Sequence, residues 1–167
     1  MLVVLAGMPG TGKTTLGRAV SDLLDATFLR IDSIETAIAR CGLAVADSPV
    51  GYAVGTAIAA DQLRAGRTVV VDAVSPITEA RNGWVALAAA TGSVLRLVEV
   101  TCSDRGEHRR RVERRTTLDG QPAPTWQQVL DERYDAWTDP HLVVDNIGDP
   151  EPHIAEILVY VRDGELV

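Results

Sequence analysis

The sequence predicts an α/β fold, a parallel sheet with helices packed on both faces, and three observations carry that prediction. Apolar runs of strand length alternate with segments of helical periodicity along the whole chain. Three of those runs, at 27–31, 68–72 and 142–145, lead to the aspartates Asp32, Asp72 and Asp145. The first run empties into a glycine-rich turn, Gly7-Met8-Pro9-Gly10-Thr11-Gly12-Lys13-Thr14-Thr15. No internal repeat, low-complexity tract or linker interrupts the pattern, so residues 1–167 read as one domain.

Each element follows from its residues. Leu2-Val3-Val4-Leu5-Ala6 is a continuous apolar run, as expected of a strand buried on both faces. Beyond the turn, Leu16, Ala19, Val20, Leu23 and Leu24 recur at helical spacing. Residues 27–31 form the second strand, and a helix starts at about Ser33 with Ser33 or Asp32 as its cap. The stretch 49–65 is helical, rich in small residues and stopped by Gly66. After the buried strand 68–72, Ile77, Ala80, Trp84 and Leu87 share one face of a helix over 77–91. A fourth strand occupies 94–101 and an arginine-rich helix 104–115. Residues 116–124, with Gly120, Pro122 and Pro124, read as a mobile loop. A helix over 125–137 puts Trp126, Val129, Leu130 and Trp137 on its apolar face. The last strand is 142–145, and a terminal helix carries Ile154, Ile157, Leu158 and Val161.

Sheets of this kind bind ligands at the carboxyl ends of their strands. That rule gathers the glycine-rich turn, Asp32, Asp72 and Asp145 along one edge. The turn fits the phosphate-binding pattern G-x-x-x-x-G-K-[ST], between a strand and a helix as that pattern requires. Glycines at 7, 10 and 12 allow the backbone to aim successive N–H groups at phosphate oxygens, and the helix adds its positive end. Lys13 is the only lysine in the chain, so composition did not scatter it there. It can reach β- and γ-phosphates, while the Thr14 hydroxyl can take a position on Mg²⁺.

Asp72 is expected to share that ion with Thr14; the competing reading is a cap or loop acid. Asp32 ends another strand, where a carboxylate can orient an acceptor hydroxyl and take its proton; capping is again the alternative. Arg30 either touches substrate or is a solvated edge charge. Arg105, Arg109, Arg110, Arg111, Arg114 and Arg115 crowd one segment with only Asp104, Glu107 and Glu113 to offset them. A polyphosphate relieves that repulsion, and with the adjoining loop the segment 104–124 reads as a closing lid. His108, His141 and His153 are isolated and read as surface or packing residues. Tyr52 lines an acceptor pocket or packs in the core; Arg81 reaches the Asp72 side of the cleft or is exposed.

The net charge of −7 argues against a broad nucleic-acid surface, because neutralising phosphates supplies most of that affinity. Cys41 and Cys102 are too few and too unpatterned for a disulfide framework or a metal site. With no leader expected before the first strand and no apolar run of membrane length, the expectation is a cytoplasmic protein, monomeric or homodimeric.

The chain resembles the small P-loop kinases of the shikimate, gluconate, chloramphenicol-phosphotransferase and polynucleotide-kinase type. The resemblance rests on GMPGTGKTT at 7–15, LRIDSIE at 29–35, VVVDAVSP at 69–76, CSDRGEHRRRVERR at 102–115 and PTWQQVLDERYDAW at 124–137. It implies a P-loop three-layer sandwich with five parallel strands in the order 2-3-1-4-5. It also implies ATP and Mg²⁺ as cofactors and transfer of the γ-phosphate to a hydroxyl of a small molecule. By the same resemblance Asp32 is the base and lid arginines, most plausibly Arg109, Arg111, Arg114 and Arg115, contact ATP. Arg111 and Arg114 are expected to stabilise the transferring phosphoryl group. The rival readings are a kinase for nucleotides or nucleic-acid 5′ ends, and an ATP-binding switch that hydrolyses slowly and signals to a protein partner.

Overall fold

A computed structural model describes residues 1–45, 48–115 and 123–164. The elements are β1 (Leu2–Ala6), α1 (Lys13–Leu23), β2 (Thr27–Arg30), α2 (Ile31–Arg40), α3 (Val50–Arg64) and β3 (Val69–Asp72). They continue with α4 (Thr78–Thr91), β4 (Leu95–Thr101), α5 (Arg105–Glu113), α6 (Trp126–Asp131), β5 (Leu142–Asp145) and α7 (Pro150–Asp163). The five strands form one parallel sheet in the order β2-β3-β1-β4-β5. The expected order therefore holds.

Side chains alternate across a strand, so β1 feeds two cores. Leu2 and Val4 join Val69, Val71 and Leu97 under α3 and α4, against Ala59, Leu63, Trp84 and Leu87. Val3 and Leu5 join Val70, Val98 and Val100 under α1 and α7, against Leu16, Val20, Ile157 and Val161. Full burial of each large apolar side chain stabilises by about 1.5–3 kcal/mol. The helices covering the second core end on local signals. Asp149 caps α7 by accepting from the Glu151 N–H, Pro150 opens the helix, and Gly164 closes it at φ 76°.

Two helices depart from expectation. The second begins at Ile31 and has Arg30 at its cap position with no side-chain cap bond, so neither Ser33 nor Asp32 caps it. Asp32 lies in its first turn, where the helix dipole favours an acid. The helix expected over 125–137 stops at Asp131. From there the chain runs extended onto the start of α4: the Asp135 N–H donates to the Pro76 carbonyl, and its carboxylate accepts from the Thr78 N–H at 3.1 Å. Leu130 is consequently exposed, while Trp137 packs against the first core. Among the described residues no helix is long and apolar enough to cross a membrane.

Candidate active site

The glycine-rich turn leaves β1 and wraps back to start α1. Gly7, Gly10 and Gly12 have φ of 144°, 88° and 99°. Space forbids a side chain at each as well. A Cβ on Gly7 would run into the Val100 carbonyl, on Gly10 into Val112, and on Gly12 into the Asn146 side chain. The turn is thus clamped from outside by β4, α5 and the exit of β5.

That clamp contains Asn146, which the sequence did not single out, beside Arg111 and His108, which it read in other roles. Asn146 is buried and donates from Nδ2 to the Thr11 carbonyl at 2.8 Å. Arg111 donates from Nη1 to the Asn146 carbonyl at 2.8 Å and from Nε to Glu107 at 2.6 Å. His108 Nε2 lies 2.8 Å from the Pro9 carbonyl, its ring edge-on to Trp126 at 5.1 Å. The only available signal for Asn146 was its position directly after an apolar strand.

Lys13 is buried, and its ammonium donates to the Met8 carbonyl at 3.0 Å. Burial lowers its pKa to about 8 against the opposing pull of Asp72 and Asp32. A buried cation resting on a carbonyl is a group in want of an anion. Beside it the Thr14 hydroxyl donates to Asp72 Oδ2 at 2.6 Å. Among the described residues no group of three or more His, Cys, Asp or Glu could hold a metal alone. One hydroxyl and one carboxylate suit Mg²⁺, which keeps its waters and leans on phosphate oxygens. The residues present fit that ion.

Register puts Arg30 directly opposite Asp72. Arg30 is buried, so the solvated-edge alternative does not hold. Its Nη2 donates to Asp32 at 2.6 Å and its Nε lies 3.4 Å from Asp72 Oδ2. A single guanidinium therefore spaces the two carboxylates. Arg115 Nη2 stands 3.9 Å from Asp32. These groups line a cleft of about 250 Å³. Asp32, Glu35, Thr36 and Ala39 supply one wall from a single face of α2.

The arginine segment divides. Arg115 lines the cleft. Arg111, expected on the transferring phosphate, instead braces the glycine-rich turn through the Asn146 carbonyl. Arg109 is exposed and paired with Glu113 at 2.7 Å, Arg110 is paired with Glu107, and Arg114 is exposed. Residues 116–122 of the expected lid lie outside the described residues.

Other expectations are relocated. Asp145 is exposed and accepts from the Ser103 N–H at 2.8 Å and hydroxyl at 2.6 Å, which hold its pKa below the usual range. Arg81 neither faces Asp72 nor is exposed. It is buried, donates to the Asp135 carbonyl at 2.7 Å, and has Trp137 4.6 Å from its guanidinium carbon. His141 stacks on Trp137 at 4.3 Å, and His153 meets the Ile147 carbonyl at 3.1 Å. Tyr52 is partly buried and packs against the first core, the second of the two readings considered for it. Its hydroxyl accepts from the Ser75 N–H at 2.9 Å, and its ring lines a second cavity of about 660 Å³ between α2, α3 and α4.

The family model of an AAA domain matches residues 2–139. No curated protein matches the sequence. Among solved structures, a putative kinase from Chloroflexus aurantiacus is 17% identical, with 98% of this chain and 97% of that chain covered and a TM-score of 0.72. A sugar kinase from Janibacter is 19% identical over 96% and 94% of the two chains, TM-score 0.70. The Mycobacterium tuberculosis APS kinase, solved with AMPPNP and APS, is 18% identical over 97% of each, TM-score 0.67.

Proposed function

The chain belongs to the AAA domain family and has the fold of the small P-loop kinases, and on that premise we propose that it transfers the γ-phosphate of ATP to a hydroxyl of a small molecule. The observation that carries this reading is the meeting in one cleft of Lys13, the Thr14–Asp72 pair and a separate carboxylate, Asp32. The first three serve a bound nucleotide; the fourth is a further carboxylate in the same cleft, placed to meet a second substrate.

Lys13 and the N–H groups of the turn hold the β- and γ-phosphates. Thr14 and Asp72 hold Mg²⁺, whose contribution is to neutralise charge on the phosphate oxygens. Asp32, oriented by the hydrogen bond from Arg30, aligns the acceptor hydroxyl and takes its proton as the new O–P bond forms and the bond to the β-phosphate breaks. Arg115, beside Asp32, and Lys13 face the phosphoryl group between them. Arg111 acts at one remove, keeping the turn in shape. The acidic balance of the chain favours a small acceptor over a nucleic-acid end.

The test is ADP release from Mg-ATP by the purified protein, alone and with pools of sugars, nucleosides, hydroxylated metabolites and antibiotics. One pool should raise release and yield a phosphorylated product. Asp32→Asn should then cut transfer by about 10²–10⁴-fold while ATP affinity stays nearly intact. Equal collapse of ATP binding would make Asp32 a magnesium or structural residue. A slow rate that no pool alters would favour the ATP-switch reading.

A further inference from the structure

We propose that the second cavity seats the body of the acceptor, and that this acceptor is a hydroxylated molecule with an apolar, ring-sized body and a protonated amine. The word acceptor rests on the phosphotransfer reading; the binding chemistry does not.

The cavity, about 660 Å³, falls within the range that encloses a small organic ligand. It adjoins the Asp32 cleft, with Glu35 and Val45 lining both. A molecule seated in it can therefore extend a hydroxyl toward Asp32, one helical turn from Glu35 on α2.

Its wall is preformed. Ser75 is fully buried at φ 46°, a conformation that side chains other than glycine rarely adopt. Its N–H donates to the Tyr52 hydroxyl, and its own hydroxyl accepts from the Trp84 indole at 3.1 Å. One buried serine thus meets the polar atom of each aromatic residue, and their ring centroids stand 6.0 Å apart. What they add to the cavity is ring surface. Pro49, Ile77 and Ala80 extend it.

The charge at this wall has one sign. Glu35, Glu79 and Glu132 line the cavity, and none of its described lining residues is basic. Glu35 is half-buried and makes no hydrogen bond or ion pair among the described residues. Burial and the nearby Asp32 push its pKa up, as for a carboxylate lacking a counter-charge. The cations of the site, Lys13, Arg30 and Arg115, line the cleft and not this cavity. A carboxylate, sulfate or phosphate on the acceptor would meet three acids here. An ammonium supplies what Glu35 lacks.

The experiment measures binding by ligand-observed NMR and calorimetry, without nucleotide. The probes are matched trios built on phenyl and cyclohexyl bodies, such as phenylalaninol, its N-acetyl derivative and 3-phenyllactate. The amine should bind at least about tenfold more tightly than its anionic twin, and Glu35→Gln should remove most of that preference. Gly83 lines the cavity where a Cβ meets nothing within 4 Å. Gly83→Phe should therefore exclude all three probes from a protein whose melting temperature and Mg-ATP affinity are kept. Anionic twins binding as well as the amines, or an amine preference surviving both substitutions, would overturn the proposal. Mg-ATP binding and turnover are read on the same samples. Turnover with a sugar or acid acceptor but no amine binding removes this inference alone. Amine binding by a protein that does not bind Mg-ATP removes the phosphotransfer reading alone.

Discussion

The two halves of the cleft are built by opposite means. On the nucleotide side Lys13 and Asp72 are buried, every glycine of the turn has a positive φ, and neighbouring elements occupy the space a Cβ would need. On the proposed acceptor side α2 offers only Ile31 as a fully buried residue, and Asp32 and Glu35 remain partly open to solvent. One half has no freedom of shape and the other has room. A site that binds the same phosphates in every turnover gains from rigidity. A site whose occupant sets specificity varies through the side chains lining a cavity.

The same chemical change should therefore have opposite signs in the two halves. The largest effect is expected for Gly7→Ala. The new Cβ meets the Val100 main-chain carbonyl at a φ of 144°, so neither partner can yield cheaply. Urea denaturation should show a loss of about 3 kcal/mol or more, with Mg-ATP affinity falling as well.

Next in size is the pH response of Lys13. Its folded pKa, about 8, lies below its ordinary 10.5. Between those values the unfolded chain holds a proton that the folded chain has released, so stability rises with pH across that window, by up to about 3 kcal/mol. ATP affinity should move the other way, because the phosphates need the ammonium. Denaturation and nucleotide titrations from pH 7 to 10 should show the two trends diverging, and Lys13→Met should flatten the stability trend. Parallel trends would separate the lysine from the phosphate site.

Smallest is Gly83→Ala on α4. Its Cβ enters open space within a helix, so the protein should gain up to about 1 kcal/mol in thermal or urea unfolding. A loss there would mean that the acceptor side is as tightly packed as the nucleotide side.

Legibility in the sequence follows the same division. The turn, Lys13, Thr14 and Asp72 were readable because the chemistry is local: one turn of chain supplies nearly all of it, and the strand ending in Asp72 is a plain apolar run. Arg30 was harder. Its solvated-edge alternative fails because parallel pairing puts it opposite Asp72, and a pairing register is not written in either strand alone. The arginine segment was legible as a charge cluster but not as individual roles. Arg111 turns to the Asn146 carbonyl, 35 residues onward. The helix expected to 137 failed for a related reason. Its apolar spacing is helical, yet Asp135 forms bonds to Pro76, Thr78 and Arg81 that a continued helix would forgo.

The sequence by itself determined the alternation of elements, the phosphate-binding turn and the acids that end two strands. Each of those rests on the hydrophobicity, backbone freedom or charge of neighbouring residues. Only the tertiary structure decided that one buried guanidinium joins Asp32 to Asp72, that Asn146 and Arg111 brace the turn, and that Ser75 sets two aromatic rings into an acid-lined cavity. Those arrangements depend on hydrogen bonds and close contacts between residues far apart in the chain, whose geometry exists only once the sheet and its helices have packed.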